Sequence, residues 1–126
     1  MTTDLLQKSK KAVLIQRYSL ARKAQGFRAV KMNATEDIGW LDSPSTLQSA
    51  VGRLKTVKEL GMDAGMDFHG RIHKPMAKQL ARALEPHHPL FIEEPLLSEH
   101  IGGIKSLHEL TSVSYTHLTL PTIYSV

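Results

Sequence analysis

The sequence predicts an α/β fold in which three strands alternate with three helices along a parallel sheet. Two observations carry this. Short β-prone apolar runs alternate with stretches whose apolar residues recur at helical spacing, in the order β-α-β-α-β-α. Such alternation returns each strand in the same direction by a crossover helix. Polar residues also collect at the end of every strand: Lys31 and Asn33, then Asp67 and His69, then Glu93 and Glu94. Two architectures use such units, the doubly wound sheet and the (β/α)8 barrel. No Gly-x-Gly-x-x-Gly follows any strand, which weakens the dinucleotide-binding version. A barrel builds its chemistry where the polar residues of this chain collect.

Taken in order, residues 1–15 give no clear pattern. Thr2, Thr3 and Asp4 can cap a helix, but Ala12-Val-Leu-Ile15 are apolar in succession rather than on one stripe. Residues 16–25 read as a helix stopped by Gly26. Phe27–Met32 is the first strand. Ser43 followed by Pro44 is a helix start, and Leu47, Val51, Leu54 and Val57 then form one apolar face that ends at Gly61. Met62–Phe68 is the second strand. Pro75 opens a helix with Met76, Leu80 and Leu84 on one stripe, ended by Glu85-Pro86. Pro89–Glu93 is the third strand, and Ile104, Leu107 and Leu110 mark the last helix.

Composition narrows the class. The chain has 126 residues, 41% of them hydrophobic and 22% charged, which suits one soluble domain. It has no cysteine, which excludes disulfides and cysteine-ligated metals. No stretch approaches the roughly 18–20 apolar residues of a membrane span, and Ala12–Ile15 is too short for a secretory signal. These features predict a cytoplasmic protein with no membrane partner. The net charge is +4. It resides in residues 1–31, where Lys8, Lys10, Lys11, Arg17, Arg22, Lys23, Arg28 and Lys31 face only Asp4. A solvated helix face accounts for this basicity. No aromatic ladder accompanies it, so no nucleic-acid partner is expected.

Residues 113–126 contain no Lys, Arg, Asp or Glu, unlike the charged stretch before them. Val113–Thr122 (VSYTHLTLPT) resembles a translated sequencing-library adapter. The expectation is that the gene was cut near Ser112 and that residues 113–126 are an unstructured artefact.

The strand ends can carry chemistry. A strand repeats every two residues, which puts Lys31 with Asn33, and Asp67 with His69, on shared faces. Asp67 and Glu93 then project from neighbouring strands toward one point. Paired carboxylates repel unless a cation or proton lies between them, and all-oxygen ligation favours a hard cation such as Mg²⁺. His69 is placed to exchange a proton beside that cation. Solvated strand-end acids are the plain alternative. His69-x₃-His73 has a zinc-like spacing, but Gly70 and Pro75 make it a loop and no Glu follows His69. His87, His88 and His100 lie beside prolines and receive no role.

Gly26–Thr35 (GFRAVKMNAT), Met66–Ala77 (MDFHGRIHKPMA) and Leu90–Pro95 (LFIEEP) resemble the enolase superfamily. More narrowly they resemble its mandelate racemase/muconate lactonizing enzyme-type branch and the galactonate dehydratases within it. The resemblance covers residues 20–112. It implies the second to fourth βα units of a modified (β/α)8 TIM barrel, incomplete, with residues 16–112 as the barrel portion. It also implies Asp67 and Glu93 as Mg²⁺ ligands, His69 as general acid, Lys31 and Asn33 as substrate-binding residues, and Glu94 in support. Many relatives have two lysines where this chain has Lys31 and Asn33, and Asn33 cannot abstract a proton. The implied reaction removes water from a sugar acid (an aldonate) to give a 2-keto-3-deoxy acid, within a homo-oligomeric parent.

The third ligand, the basic His with its Asp partner and the capping domain would lie outside this chain, so the fragment itself is expected not to catalyse. Three other readings make separate predictions. Another acid-sugar dehydratase would differ in sequence beyond Ser112. A basic binding module would lose affinity steeply with salt. A doubly wound phosphate-binding domain would need the missing glycine loop.

Overall fold

The computed structural model describes residues 3–36 and 38–116. The alternation is borne out. Helix α1 (Thr3–Ala24) leads into β1 (Ala29–Asn33), then α2 (Leu47–Glu59), β2 (Asp63–Asp67), α3 (Lys74–Leu84), β3 (Phe91–Glu93) and α4 (Ile104–His108). A two-residue strand β4 (Tyr115–Thr116) follows; all strand pairs are parallel, and the order β1-β2-β3-β4 follows the sequence without reversal. A doubly wound sheet reverses its order at a switch point; this one has no reversal among the described residues.

Two differences from expectation stand out. Helix α1 starts at Thr3 rather than near residue 16. Val13, Leu14, Tyr18 and Leu20 are all exposed on it, so no single apolar stripe marked its extent. The second difference is β4. Residues 113–126 were expected to be unstructured, yet Tyr115–Thr116 pair with Ile92 and Glu93. Main-chain groups make that pairing, with the Ile92 N–H donating to the Ser114 carbonyl at 2.8 Å. Glu85 steadies the approach by accepting from the Ser112 N–H (2.8 Å) and hydroxyl (2.6 Å). Residues 117–126 of that expectation lie outside the described residues.

The first two helices end by the same device. Gly26 (φ 91°) and Gly61 (φ 73°) take the left-handed conformation that glycine adopts without steric cost. Phe27 N–H then donates to Arg22 O, and Gly26 N–H to Lys23 O. Met62 and Gly61 repeat the pattern onto Val57 and Lys58, closing carbonyls a helix end otherwise leaves open. Each closure turns the chain straight into the following strand.

The sheet has two unlike faces. Met32, Met66 and Ile92 share one register row and are buried under the helices. They pack with Leu47, Val51, Leu54 and Val57 of α2 and Met76, Leu80 and Leu84 of α3, the stripes read from spacing. The row Asn33, Asp67, Glu93 belongs to the opposite face. Alternation along each strand therefore separates a hydrophobic layer from a polar one.

One left-handed residue is remote from that polar row. His88 (φ 54°) is exposed and caps the 3₁₀ turn Glu85–His87. The left-handed region costs a non-glycine residue roughly 1–2 kcal/mol. His88→Gly is therefore expected to raise stability by up to about 1 kcal/mol after its own entropy cost, measurable by urea denaturation.

Candidate active site

Each strand delivers its polar residues to the same end of the sheet. Asn33, Asp67 and Glu93 are mutual register partners on β1, β2 and β3. From two residues before Asn33 on the same face, Lys31 extends its ammonium between the two acids. Nζ lies 2.9 Å from Asp67 Oδ2 and 2.5 Å from Glu93 Oε2. Asp67 is the most enclosed of the three, its side chain 7% exposed against 22% for Glu93 and 50% for Lys31.

His69 reaches this cluster by a route that strand periodicity does not describe. Strand β2 ends at Asp67, and His69 is left-handed (φ 57°), so the two do not share a strand face. The chain curls instead. The His69 N–H donates to Asp67 Oδ1 at 2.8 Å, and the imidazole Nε2 stands 3.2 Å from Asp67 Oδ2. A side-chain oxygen accepting the N–H two residues on is the Asx turn. Asn33 makes the same turn, Oδ1 accepting from Thr35 N–H at 2.9 Å. The Asn33 oxygen is thus committed to the loop. Glu94 follows β3 in a left-handed conformation (φ 44°), and its carbonyl accepts from Gly70 N–H at 2.9 Å. His69 and Glu94 thus hold strained backbone at adjacent strand ends, a feature that concentrates at functional sites.

A clamp beneath these turns was not read from the sequence. Buried Thr35 donates its hydroxyl to Phe68 O at 2.9 Å, and Arg71 Nη2 donates to Thr35 O at 2.5 Å. It ties the loop after β1 to the loop after β2. Arg71 lies in the Asp-Phe-His-Gly-Arg run, but nothing in a linear pattern points it at Thr35. The second unread feature is Arg53, buried within the apolar face of α2 and paired with Glu36. A charge inside that stripe was its available signal. His73 stacks edge-on with Trp40 (4.5 Å between ring centroids), and its Nε2 is buried without a partner.

Charge shapes the titration of the cluster. Burial pushes the Asp67 carboxyl up, but the Lys31 hydrogen bond, the His69 N–H and the neighbouring positive charges outweigh it and hold it below its ordinary value. Hydrogen bonds to Asp67 and Glu93 hold the Lys31 ammonium well above the usual lysine range. A lowered carboxyl stabilises the fold above its unfolded value near 3.9 and loses that contribution as pH falls through the folded one. A raised lysine contributes below about 10.4 and loses it as pH rises through its folded value. Thermal melts are therefore expected to show a stability plateau from this pair between about pH 5 and 9. Lys31→Met is expected to melt lower on that plateau and to show a shallower acid flank.

The donor set suits a hard cation. Two carboxylates already share one positive centre, and their oxygens match Mg²⁺ rather than a soft metal. Among the described residues no three His, Cys, Asp or Glu converge into a group that could hold a metal ion.

A parallel βα sheet with acids, a lysine and a histidine gathered at its strand ends places the chain in the α/β class. Residues 14–117 match the enolase C-terminal domain-like family, and the chain belongs to that family. It is 46% identical over 103 residues to a D-galactonate dehydratase of Ralstonia nicotianae, covering 79% of this chain and 26% of that protein. It is 43% identical over 91 residues to a D-galactonate dehydratase of Variovorax paradoxus, covering 70% and 24%. The chain thus spans about a quarter of the length of the curated relatives it matches. Among solved structures, a mandelate racemase/muconate lactonizing enzyme from Jannaschia sp. CCS1 superposes with a TM-score of 0.71. That match has 25% identity and covers 81% of this chain and 28% of that one. Among the described residues no helix is long and apolar enough to cross a membrane.

Proposed function

We propose that this chain supplies part of the active site of a cytoplasmic sugar-acid dehydratase, with galactonate as substrate and a (β/α)8 barrel as the complete architecture. The observation that carries the reading is the convergence of Asp67, Glu93, Lys31 and His69 at one end of a sheet whose strands run in sequence order. The galactonate dehydratases it resembles add the substrate class.

Asp67 and Glu93 would hold Mg²⁺, which when bound supplies positive charge against the substrate carboxylate and the negative charge that develops beside it. Lys31 gives the carboxylate a second cationic contact. His69, presented by its left-handed backbone, donates a proton to the departing 3-hydroxyl. Asn33 and Thr35 hold the loop after β1, and Glu94 holds the turn at Gly70. Loss of the α-proton and the 3-hydroxyl leaves an enol that tautomerises to a 2-keto-3-deoxy acid. The base and a third carboxylate come from strands outside this chain.

Reading the natural gene across the Ser112 codon, followed by an assay for 2-keto acid, tests the proposal. The frame is expected to continue, with the longer protein dehydrating galactonate in preference to other aldonates and the 126-residue chain inactive. A natural stop after Val126 would overturn it. A graft offers a second assay: residues 14–112 placed in the Ralstonia nicotianae relative should preserve its dehydratase activity.

A further inference from the structure

The Lys31 ammonium is placed as a cation would be. It lies within 2.9 Å of one Asp67 oxygen and 2.5 Å of one Glu93 oxygen. Those are the same two carboxylates to which the proposed function gives the metal. Both belong to short strands held in fixed register, so neither can retreat far from the other. Two such anions repel strongly when no positive charge lies between them. Lysine is suited to the position because its ammonium is a compact charge on a flexible stem, able to enter and leave without moving the backbone. Half of the Lys31 side chain is exposed, so a route to solvent is open beside it.

We propose that the Lys31 ammonium and a divalent cation are alternative occupants of the position between Asp67 and Glu93. Lys31 holds the two ligands together before the metal arrives, and metal binding releases it toward the substrate carboxylate. The inference rests on the assignment of Asp67 and Glu93 as metal ligands. It adds that Lys31 is a positioning residue as well as a binding one, and that metal entry carries the cost of breaking two ion pairs. Substrate then meets an ammonium that the metal has just freed, which gives an order of binding: cation first, acid second.

The test uses the 126-residue chain and Mn²⁺ as a paramagnetic probe, with free ion counted by electron paramagnetic resonance. Lys31→Met should bind Mn²⁺ on the order of tenfold more tightly than the unaltered chain, and Asp67→Asn should lose binding. Lys31→Gln serves as a second neutral variant, and circular dichroism checks that each has folded. On the unaltered chain, Lys31 acetylation followed by mass spectrometry should rise several-fold when Mg²⁺ is added, while Lys55 on α2 stays constant.

Binding that Asp67→Asn abolishes but that Lys31→Met leaves unchanged or weakens would overturn the shared position and leave the metal assignment standing. So would Lys31 acetylation that ignores saturating metal. Absence of Mn²⁺ binding in the unaltered chain and in Lys31→Met, repeated in the Ralstonia nicotianae graft that restores the missing strands, would overturn the metal assignment, and the inference with it.

Discussion

Exchanging His69 for asparagine in the grafted barrel is expected to slow dehydration by about 10²–10⁴-fold, the range a positioned general acid supplies. Asparagine is the informative replacement because the residue sits at φ 57°. Asparagine adopts that region more readily than most side chains, so the turn and its hydrogen bond to Asp67 Oδ1 should persist. The variant then removes the imidazole, with its contact to Asp67 Oδ2, and leaves the backbone turn in place. Unchanged thermal stability with lost turnover is the outcome that assigns the role. Retained turnover would show that another group protonates the leaving hydroxyl. The effect should be smaller for a substrate whose 3-substituent leaves without a proton.

The largest effect on stability is expected at Leu80. Its side chain is fully buried at the centre of α3, among Met76, Leu84 and the helix-facing strand residues. Leu80→Ala should cost about 2–5 kcal/mol through lost burial and the cavity left behind. Domains of this kind hold only roughly 5–15 kcal/mol in total, so this one substitution should remove a large share of the stability. Leu41, 87% exposed, provides the control. Leu41→Ala should shift stability by no more than about 0.5 kcal/mol in the same urea titration.

Much of the architecture was legible because period and punctuation agreed. Ser43-Pro44 and Gly61 bracketed the stripe Leu47, Val51, Leu54 and Val57, and that stripe is the buried face of α2. Helix α1 was legible only in its second half, because its apolar residues encircle it and much of it is not buried. The two-residue β4 gave no signal of its own, since its pairing runs through main-chain groups that any sequence carries.

At the site, strand alternation found Lys31, Asp67 and Glu93. It placed His69 beside Asp67 for the wrong reason: an Asx turn, not a shared strand face, brings the ring there. The Thr35–Arg71 clamp spans 36 residues and depends on how two loops lie on each other, which no local pattern encodes.

Strand β1 pairs with β2 on one side and has no described strand on the other. Five residues there, Ala29–Asn33, present main-chain donors and acceptors in the spacing of a ready template. At high protein concentration a second molecule can dock along that border, and growth by repeated addition leads to precipitation rather than a closed assembly. Exposed Arg28, at the start of this border, carries a positive charge that repels an identical one, a protection salt would weaken. Solubility of the purified chain should therefore be best in dilute buffer, and storage conditions become as consequential as temperature.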